Sequence, residues 1–159
     1  MTLEEYLAIG VRLRLGSHTF VKDEILRFAS KYDPQRFHLD EQAARNSVFG
    51  GLCASGWHTG AIWMRLNVGL PYEQVGKAWK GAFPVFGPSP GIRDLRWTKP
   101  VMAGETVTYY RTGLMLRPHP RREGWWIHAI KAEGDDSTGN TIIEFVSSVL
   151  LQGPVSDDS

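Results

Sequence analysis

The chain has 159 residues, a length typical of one domain, and its 42% hydrophobic and 22% charged residues are typical of a globular protein. Its formal net charge of +1 argues against a nucleic-acid-binding class, because such binding needs a basic face. The single cysteine, Cys53, excludes an internal disulfide.

The first ten residues, MTLEEYLAIG, contain two glutamates and lack the basic patch and long apolar run of a secretory signal peptide. No stretch reaches the roughly 18 apolar residues that a membrane-spanning helix needs. We therefore expect a cytoplasmic protein that does not act at a membrane.

The first part of the chain predicts a strand followed by two short helices. Residues 11–20 alternate between apolar and polar side chains, which is typical of a half-buried strand. An amphipathic helix should follow and end before Asp33, because Pro34 disfavours helical geometry at the residue that precedes it. A brief helix over residues 40–45 comes next, with Asp40 as its N-cap.

Residues 54–66 predict a longer helix with little polar surface, and a helix of this kind is usually buried. Trp57, Ala61 and Met64 lie on one of its sides. Its several small residues would let other backbone approach closely, and Gly69 is expected near its C-terminal end.

The second half of the chain predicts strands over residues 92–97, 106–116, 125–132 and 141–151. The last three are joined by turns and imply an antiparallel meander. One buried helix ahead of such a sheet indicates an α+β fold in which the sheet curls around the helix. We expect a single domain over residues 1–152 and a disordered polar tail over residues 153–159.

Asp33 and His38 are candidates for general acid–base chemistry, because histidine titrates near neutral pH and a nearby carboxylate can orient it. The proline break suggests that the segment holding them is not helical, so the two side chains can converge. The alternative is structural: Asp33 caps a turn and His38 is a partly buried loop residue.

The glycine-rich approach to the long helix also has two interpretations. Backbone N–H groups at a helix start can stabilise a developing oxyanion. Alternatively, the small residues serve only tight packing. The sequence pattern alone does not choose between them.

A series of motifs extends through this region and beyond it. They are Phe28-Ala29, Asp33, Phe37-His38, Ala44, the helix-opening turn Ser55-Gly56-Trp57, and residues 92–107, IRDLRWTKPVMAGETV. In this order they resemble the MaoC-like family of (R)-specific enoyl-CoA hydratases and dehydratases, with Glu105 at the family's acidic position. The resemblance covers most of residues 20–151 and implies the hotdog fold, a long central helix wrapped by a curved antiparallel sheet.

The resemblance implies a role for each of these site residues. Asp33 and His38 would hold and activate a water that adds to the β-carbon of an enoyl thioester, and the Gly56 N–H would bind the thioester oxygen in an oxyanion hole. The residues that it implies for substrate binding are Gln35, Ser55, Trp57, Arg96 and Lys99. It also implies an acyl-CoA substrate, no cofactor beyond that coenzyme A, and at least a homodimer with the active site near the subunit boundary.

Three departures from the family pattern put substrate choice in question. Tyr32 replaces a glycine, Gln35-Arg36 replaces an Asn-Pro pair, and Ser55 replaces the histidine before the turn glycine. Two other functions therefore stay open. One is hydrolysis of an acyl-CoA thioester, and the other is a non-catalytic acyl-CoA-binding or partner subunit.

The remaining polar and aromatic residues give weaker signals. Cys53 and His58 do not form a metal-site pattern, and no nicotinamide or flavin fingerprint occurs, so we expect neither a metal nor a redox cofactor. Four arginines could meet the phosphates of coenzyme A, although a solvated loop is the commoner explanation. Four tryptophans could line an acyl pocket or fill the core. These residues are Arg111, Arg117, Arg121 and Arg122, and Trp57, Trp63, Trp79 and Trp97.

Overall fold

The computed structural model describes residues 2–70 and 84–153, and within them it contains five helices and six strands. The helices are α1 (Leu3–Tyr6), α2 (Lys22–Tyr32), α3 (Arg36–Leu39), α4 (Glu41–Arg45) and α5 (Gly56–Val68). The strands are β1 (Arg12–Thr19), β2 (Val85–Phe86), β3 (Gly91–Trp97), β4 (Thr106–Pro118), β5 (Trp125–Asp135) and β6 (Thr141–Gln152). No helix in these two ranges is long and apolar enough to cross a membrane.

The strands form one antiparallel sheet in the order β1-β4-β5-β6, and both β2 and β3 pair with the outer edge of β6. The meander of β4, β5 and β6 is confirmed: Thr112 pairs with Lys131, which pairs in turn with Val146. These three strands extend slightly further than their sequence patterns predict. The α+β architecture, with a curled antiparallel sheet around α5, is confirmed as well.

The inner side of α5 packs against the sheet and forms the main core. Trp63 lies edge-to-face against Phe145 of β6, with ring centroids 5.0 Å apart. Tyr109 of β4 is fully buried and donates its hydroxyl hydrogen to the Thr59 carbonyl at 2.9 Å. Burial of each such side chain contributes roughly 1.5–3 kcal/mol, so the core anchors the helix firmly.

The outer side of α5 is equally apolar but is not covered within a single chain. Trp57, Met64 and Val68 are 57%, 41% and 76% exposed. The predicted grouping of Trp57, Ala61 and Met64 on one side is therefore confirmed, but that side faces outward. The expectation of a helix buried nearly all round is wrong for the single chain, because the sheet reaches only one side.

The segment after α2 differs from the sequence-based prediction. Pro34 ends α2 at Tyr32, as predicted, but a four-residue helix, α3, begins again at Arg36 and contains His38. The expectation that this segment cannot be helical is wrong, because a proline disfavours helix only at the residue before it. Asp33 and His38 thus lie on either side of a helix break.

Asp40 follows as the N-cap of α4, and its carboxylate accepts hydrogen bonds from the N–H groups of Gln42 and Ala43 at 2.8 and 3.2 Å. This prediction is confirmed. The predicted tail lies outside the described residues, apart from Gly153, whose N–H donates to the Gly124 carbonyl at 3.1 Å.

Candidate active site

A cavity of about 400 Å³ opens between α3, the start of α5 and the segment that follows β3. Its lining includes two tryptophans, Trp57 and Trp97, and seven residues with polar side chains: Asp33, Gln35, His38, Cys53, Thr59, Thr98 and Lys99. It also includes the turn residue Gly56 and the apolar residues Phe37, Phe49, Ala54, Pro100, Val101 and Ile142. Most of the predicted site residues therefore meet at one place.

Asp33 and His38 lie together in the wall of this cavity. The Oδ2 atom of Asp33 is 3.3 Å from Nε2 of His38, and both side chains are largely buried. Asp33 follows the end of α2 and His38 belongs to α3, so the side chains converge as a single continuous helix would not allow. Their catalytic role stays a prediction, but their proximity is a property of the fold.

The tautomer of His38 follows from its second nitrogen. Nδ1 lies 2.7 Å from the carbonyl oxygen of Cys53, which can only accept, so Nδ1 carries a hydrogen and donates it. In the neutral ring, Nε2 then holds a lone pair next to Asp33. This arrangement suits a base that takes a proton from a molecule placed between the two side chains.

Both carboxylate oxygens of Asp33 accept hydrogen bonds. Gln35 Nε2 donates to Oδ1 at 2.7 Å, and Ser55 Oγ donates to Oδ2 at 2.7 Å. Burial raises the pKa of Asp33, but the bonds from Gln35 and Ser55 and the charge of His38 outweigh it and lower the pKa below its ordinary value. Within the described residues no backbone N–H donates to this side chain, so the turn-capping alternative is not what is found.

Gly56 is the first residue of α5 and lies at the mouth of the same cavity. The N–H groups of His58 and Thr59 both donate to the Ser55 carbonyl, whereas that of Gly56 has no acceptor in the part of the chain described. It is one of the unpaired donors of a helix start, the property that an oxyanion hole requires.

A glycine is needed at position 56 because the Trp97 indole packs directly on its Cα. A Cβ placed there would lie 2.5 Å from the indole nitrogen and 2.8 Å from Cδ2 of Trp97. The glycine therefore allows close packing and also presents a backbone N–H at the cavity, and the binding of an oxyanion there stays a prediction.

Ser55 is fully buried and does not line the cavity, so the structure does not place it where it could bind substrate. Gln35 does line the cavity, but its amide is bound to Asp33. Trp57 lines the cavity and meets Trp97 edge-to-face at 5.1 Å, which gives an aromatic wall suited to an apolar ligand.

The other tryptophans differ from this pair. Trp63 belongs to the core and donates its indole N–H to the Tyr110 carbonyl at 2.9 Å. Trp79 lies outside the described residues.

Lys99 and Arg96, the two cationic residues predicted to bind substrate, differ in their position relative to the cavity. Lys99 lines the cavity, but its Nζ lies 2.6 Å from Oδ2 of Asp136, and this bond raises the pKa of Lys99 and lowers that of Asp136. Arg96 lies exposed on β3 and is not part of the lining. The structure therefore brings the stem of Lys99 to the site and leaves Arg96 outside it.

Arg111 does not belong to a surface that could bind the phosphates of coenzyme A together with the other three arginines considered above. Arg111 is buried, with hydrogen bonds to Asn67 Oδ1 at 3.1 Å and to His128 Nε2 at 2.9 Å, so it cannot meet a phosphate as considered. Burial, the largest cause, and the nearby Arg111 charge together lower the pKa of His128 to about 4, against the opposing effect of the bond from its Nδ1 to the Met115 carbonyl. His128 is therefore neutral and can accept from the guanidinium.

A second carboxylate–imidazole cluster, absent from the sequence-based prediction, joins β1, α2 and α5. His18 Nε2 lies 2.8 and 2.9 Å from the two oxygens of Glu24, and His58 Nε2 lies 3.1 Å from one of them. Burial raises the pKa of Glu24, but the bonds from His58 and His18 outweigh it and lower the pKa. Three such ligand atoms lie close enough together to hold a metal ion.

The surroundings of this cluster favour hydrogen bonds over a metal. Arg65 donates to Nδ1 of His18 at 3.2 Å, so a neutral His18 carries its proton on Nε2. A metal-ligating histidine has the opposite arrangement, in which the outer nitrogen donates to an acceptor. We interpret the cluster as a structural junction, and the prediction of no metal stays a prediction.

Three features of the site were not predicted: the Cys53 carbonyl behind His38, the Ser55 bond to Asp33 and the Trp97 packing on Gly56. Each joins residues distant in sequence through a backbone group or a single hydroxyl. No pattern of residue types announces such contacts, although Ser55 was identified as a departure from the family motif.

Comparison with known proteins supplies independent findings. A family model described as the MaoC like domain matches residues 8–112. A MaoC-like dehydratase from Rhodospirillum rubrum is 32% identical, with a TM-score of 0.78, and the match covers 98% of this chain and 99% of that one.

An (R)-hydratase from A. caviae involved in PHA biosynthesis is 20% identical, with a TM-score of 0.62, and covers 92% of this chain and 96% of that one. These similarities confirm the hotdog fold. The uncharacterised protein YdeM of Bacillus subtilis is 42% identical over 66 residues, which are 42% of this chain and only 46% of that protein's length.

Proposed function

This chain belongs to the MaoC-like family of hydratases and dehydratases, and on that premise we propose that it is a hydro-lyase acting on acyl-CoA thioesters. The reaction is addition of water to a 2-enoyl-CoA, or its removal from a 3-hydroxyacyl-CoA. Asp33 and His38 perform the acid–base chemistry in this proposal, and the Gly56 N–H binds the thioester oxygen. We also propose a cytoplasmic location, which is the expectation from the sequence.

One observation carries the proposal: Asp33 Oδ2 and His38 Nε2 lie 3.3 Å apart in the wall of a cavity, while the Cys53 carbonyl accepts the hydrogen of His38 Nδ1. A water held by both groups has one proton directed at His38 Nε2 and its oxygen directed into the cavity. Groups placed in this way usually contribute about 10²–10⁴-fold to a rate.

In the proposed hydration, the water oxygen bonds to the β-carbon while His38 Nε2 takes a proton. The electron pair of the carbon–carbon double bond moves to the α-carbon and thioester carbonyl as an enolate. The Gly56 N–H donates to the enolate oxygen, and a donor of this kind is worth about 10²–10³-fold in kcat. The imidazolium returns its proton to the α-carbon, so the sum is one water added. The steps require no metal or redox cofactor.

The aromatic wall of Trp57 and Trp97 is the proposed contact for the acyl chain, since both indoles line the cavity and remain partly exposed. Lys99 contributes its stem in this proposal, and its ammonium keeps Asp136 as partner. Arg96 lies beyond the lining, so we do not assign it to the acyl group.

We also propose that the protein is a homodimer or a higher homo-oligomer. The outer side of α5 is apolar and exposed, and the neighbouring edge strand β3 exposes Ile92 and Trp97. Because Trp57 and Trp97 belong both to this surface and to the cavity wall, a second copy covering them would border the active site. Light scattering should return at least twice the 17.9 kDa chain mass; a monomer at micromolar concentration would contradict this part of the proposal.

The direct test of function is turnover of a trans-2-enoyl-CoA such as crotonyl-CoA, followed by loss of absorbance from the conjugated thioester. The Asp33→Asn variant serves as the matched control, since it differs only at the carboxylate. Hydration leaves the thioester intact, whereas release of free coenzyme A would indicate a thioesterase instead. Binding of the substrate without turnover would indicate a non-catalytic subunit.

A further inference from the structure

Two positions at which this chain departs from its family's motif meet at the same carboxylate. Gln35 donates through Nε2 to Oδ1 of Asp33, and Ser55 donates through Oγ to Oδ2, each at 2.7 Å. The two residues come from different segments, the α2–α3 break and the approach to α5. Their side chains hold the carboxylate from opposite ends.

Ser55 is in an unusual position for a residue with this contact. It is the N-cap of α5, where a serine side chain normally accepts a hydrogen bond from a backbone N–H of the first turn. Its hydroxyl makes no capping bond and donates to Asp33 instead. Because Ser55 is fully buried and absent from the cavity lining, it can influence a substrate only through Asp33.

Gln35 is held in place by its own backbone. Its N–H donates to the Asp33 carbonyl at 2.7 Å, so the tight turn after Pro34 directs the amide back onto the carboxylate. The amide nitrogen must face Oδ1, since the amide oxygen in that position would meet a carboxylate oxygen, and neither could donate.

We propose that Gln35 and Ser55 are positioning residues that clamp the Asp33 carboxylate in one orientation and keep it ionised beside His38. This inference rests on the proposed function for its catalytic consequence. It does not rest on that function for its structural content, because the clamp exists whether or not the substrate is an enoyl thioester.

Gln35 and Ser55 are the residues that donate hydrogen bonds to Asp33 from fixed positions, and the titratable and charged groups around it are His38, Lys99 and Cys53. His38 faces it from α3, and the Lys99 ammonium, across the same cavity, is bound to Asp136. Burial, followed by the charge of Asp33, raises the pKa of the Cys53 thiol to about 11, so this neighbour is neutral. The lowered pKa of Asp33 agrees with a carboxylate held by two donors.

The test uses variants of the full chain. Ser55→Ala and Gln35→Ala remove one donor each, and Gln35→Glu keeps the size of the side chain while replacing the donor with a carboxylate. Ser30→Ala and Gln42→Ala are the matched controls, because both residues are exposed and neither contacts Asp33. Carboxyl ¹³C NMR of labelled aspartate follows the titration of Asp33, with Asp33→Asn to assign the signal.

We expect the Asp33 pKa to rise in Ser55→Ala and Gln35→Ala and to rise most in Gln35→Glu, with both controls unchanged. In the enoyl-CoA assay, kcat should fall about 10–100-fold in Ser55→Ala with little change in KM, because a misplaced group lowers the rate without removing a substrate contact. The acid limb of the kcat profile should move to higher pH. Ser55→Thr, which restores a hydroxyl, should recover part of the loss.

An Asp33 titration that is the same in Ser55→Ala, Gln35→Glu and the wild type would overturn the clamp, whatever the activities. If Ser55→Ala does not fold, the two Gln35 variants decide the question by the same measurement. If the wild-type protein turns over no enoyl thioester but the variants show the expected shifts in the Asp33 pKa, the result would support the clamp and contradict the proposed function.

Discussion

Two carboxylate–imidazole clusters lie near opposite ends of α2, and they differ in what surrounds them. Asp33, at the C-terminal end, meets His38 in the wall of a cavity. Glu24, near the N-terminal end, binds His18 and His58, and none of these three residues lines the cavity. The chemical groups are the same, and the environments are not.

The direction of each imidazole explains the difference. At His38 a carbonyl holds the Nδ1 hydrogen, and the Nε2 lone pair remains available at the cavity. At His18 and His58 the Nε2 atoms are directed at the Glu24 carboxylate, and aromatic rings enclose His58, with Phe28 stacked at 4.5 Å and Phe20 edge-on at 4.9 Å. An acid beside a histidine therefore indicates a reaction only where a nitrogen with a lone pair faces space for a substrate.

Substitutions of Asp33 and His38, the cluster at the cavity, should change the hydration rate most. Asp33→Asn and His38→Ala should each lower hydration about 10²–10⁴-fold, because each removes one member of the acid–base pair. The double variant should be scarcely worse than either single one, since members of one catalytic unit are not additive. Steady-state rates on a trans-2-enoyl-CoA measure all three.

Thermal melts provide the control for these variants. Substrate affinity should change little, because binding rests on other surfaces. Both side chains are largely buried and hydrogen-bonded, so each variant should lose about 1–3 kcal/mol of stability, and rates are therefore compared per folded molecule. Full activity in both single variants would show that the reaction centre lies elsewhere or that the enzyme is of another kind.

The next effect concerns the helix start beside that cluster. Gly56→Ala should lower activity about 10²-fold, because the new Cβ must displace either Trp97 or the turn, and misplacement near 1 Å can cost that much. Adding Trp97→Ala to Gly56→Ala should restore part of the rate by removing the clash. Equal rates for Gly56→Ala and the double variant would show that the Trp97 indole is not what excludes a Cβ at position 56.

Breaking the second cluster should affect stability and spare the chemistry. Glu24→Gln should lower the free energy of unfolding by about 1–3 kcal/mol, because it weakens two charge-assisted hydrogen bonds in a mostly buried site. Turnover per folded molecule should stay near the wild-type value. Urea denaturation measures the loss, with Glu41→Gln as control because that side chain is 44% exposed.

The second cluster should also make stability depend on pH. Burial lowers the pKa of His58 and outweighs the opposing effect of Glu24, so the unfolded chain takes up this proton first. The contribution of His58 is complete above its unfolded value near 6.5 and is lost as the pH falls below it, at no more than about 1.4 kcal/mol per pH unit.

His58→Gln can still donate to Glu24 but cannot titrate. Its melting temperature should therefore fall less than that of the wild type between pH 7 and pH 5. Parallel losses in the two proteins would assign the acid sensitivity to other groups.

The smallest effect is expected at Arg96, which lies outside the cavity. Arg96→Ala should change KM, kcat and the melting temperature very little, with a stability change within about 0.5 kcal/mol, as is usual for an exposed side chain. A large increase in KM would restore Arg96 to the substrate-binding role that the family resemblance implied.

The order and type of most elements can be predicted from residue patterns along the chain, because hydrophobic periods and turn residues are local properties. The alternation in residues 11–20, the Thr- and Val-rich strands and the Asp40 cap all correspond to elements of the structure. The motif order identified Asp33 and His38, and the proline between them removed the helical geometry that would have separated them. The short helix α3 was not predicted, because four residues are too few to show a helical period.

Which atoms come into contact at the site depends on the tertiary packing. Ser55 reaches Asp33 from 22 residues away and the Cys53 carbonyl reaches His38 from 15, so each contact depends on how α5 packs against α2 and α3. The same packing covers one side of α5 and leaves the other exposed. Hydrogen-bond direction and close approach at a backbone are set by distances of tenths of an ångström, and residue types spaced along a chain do not encode these directly.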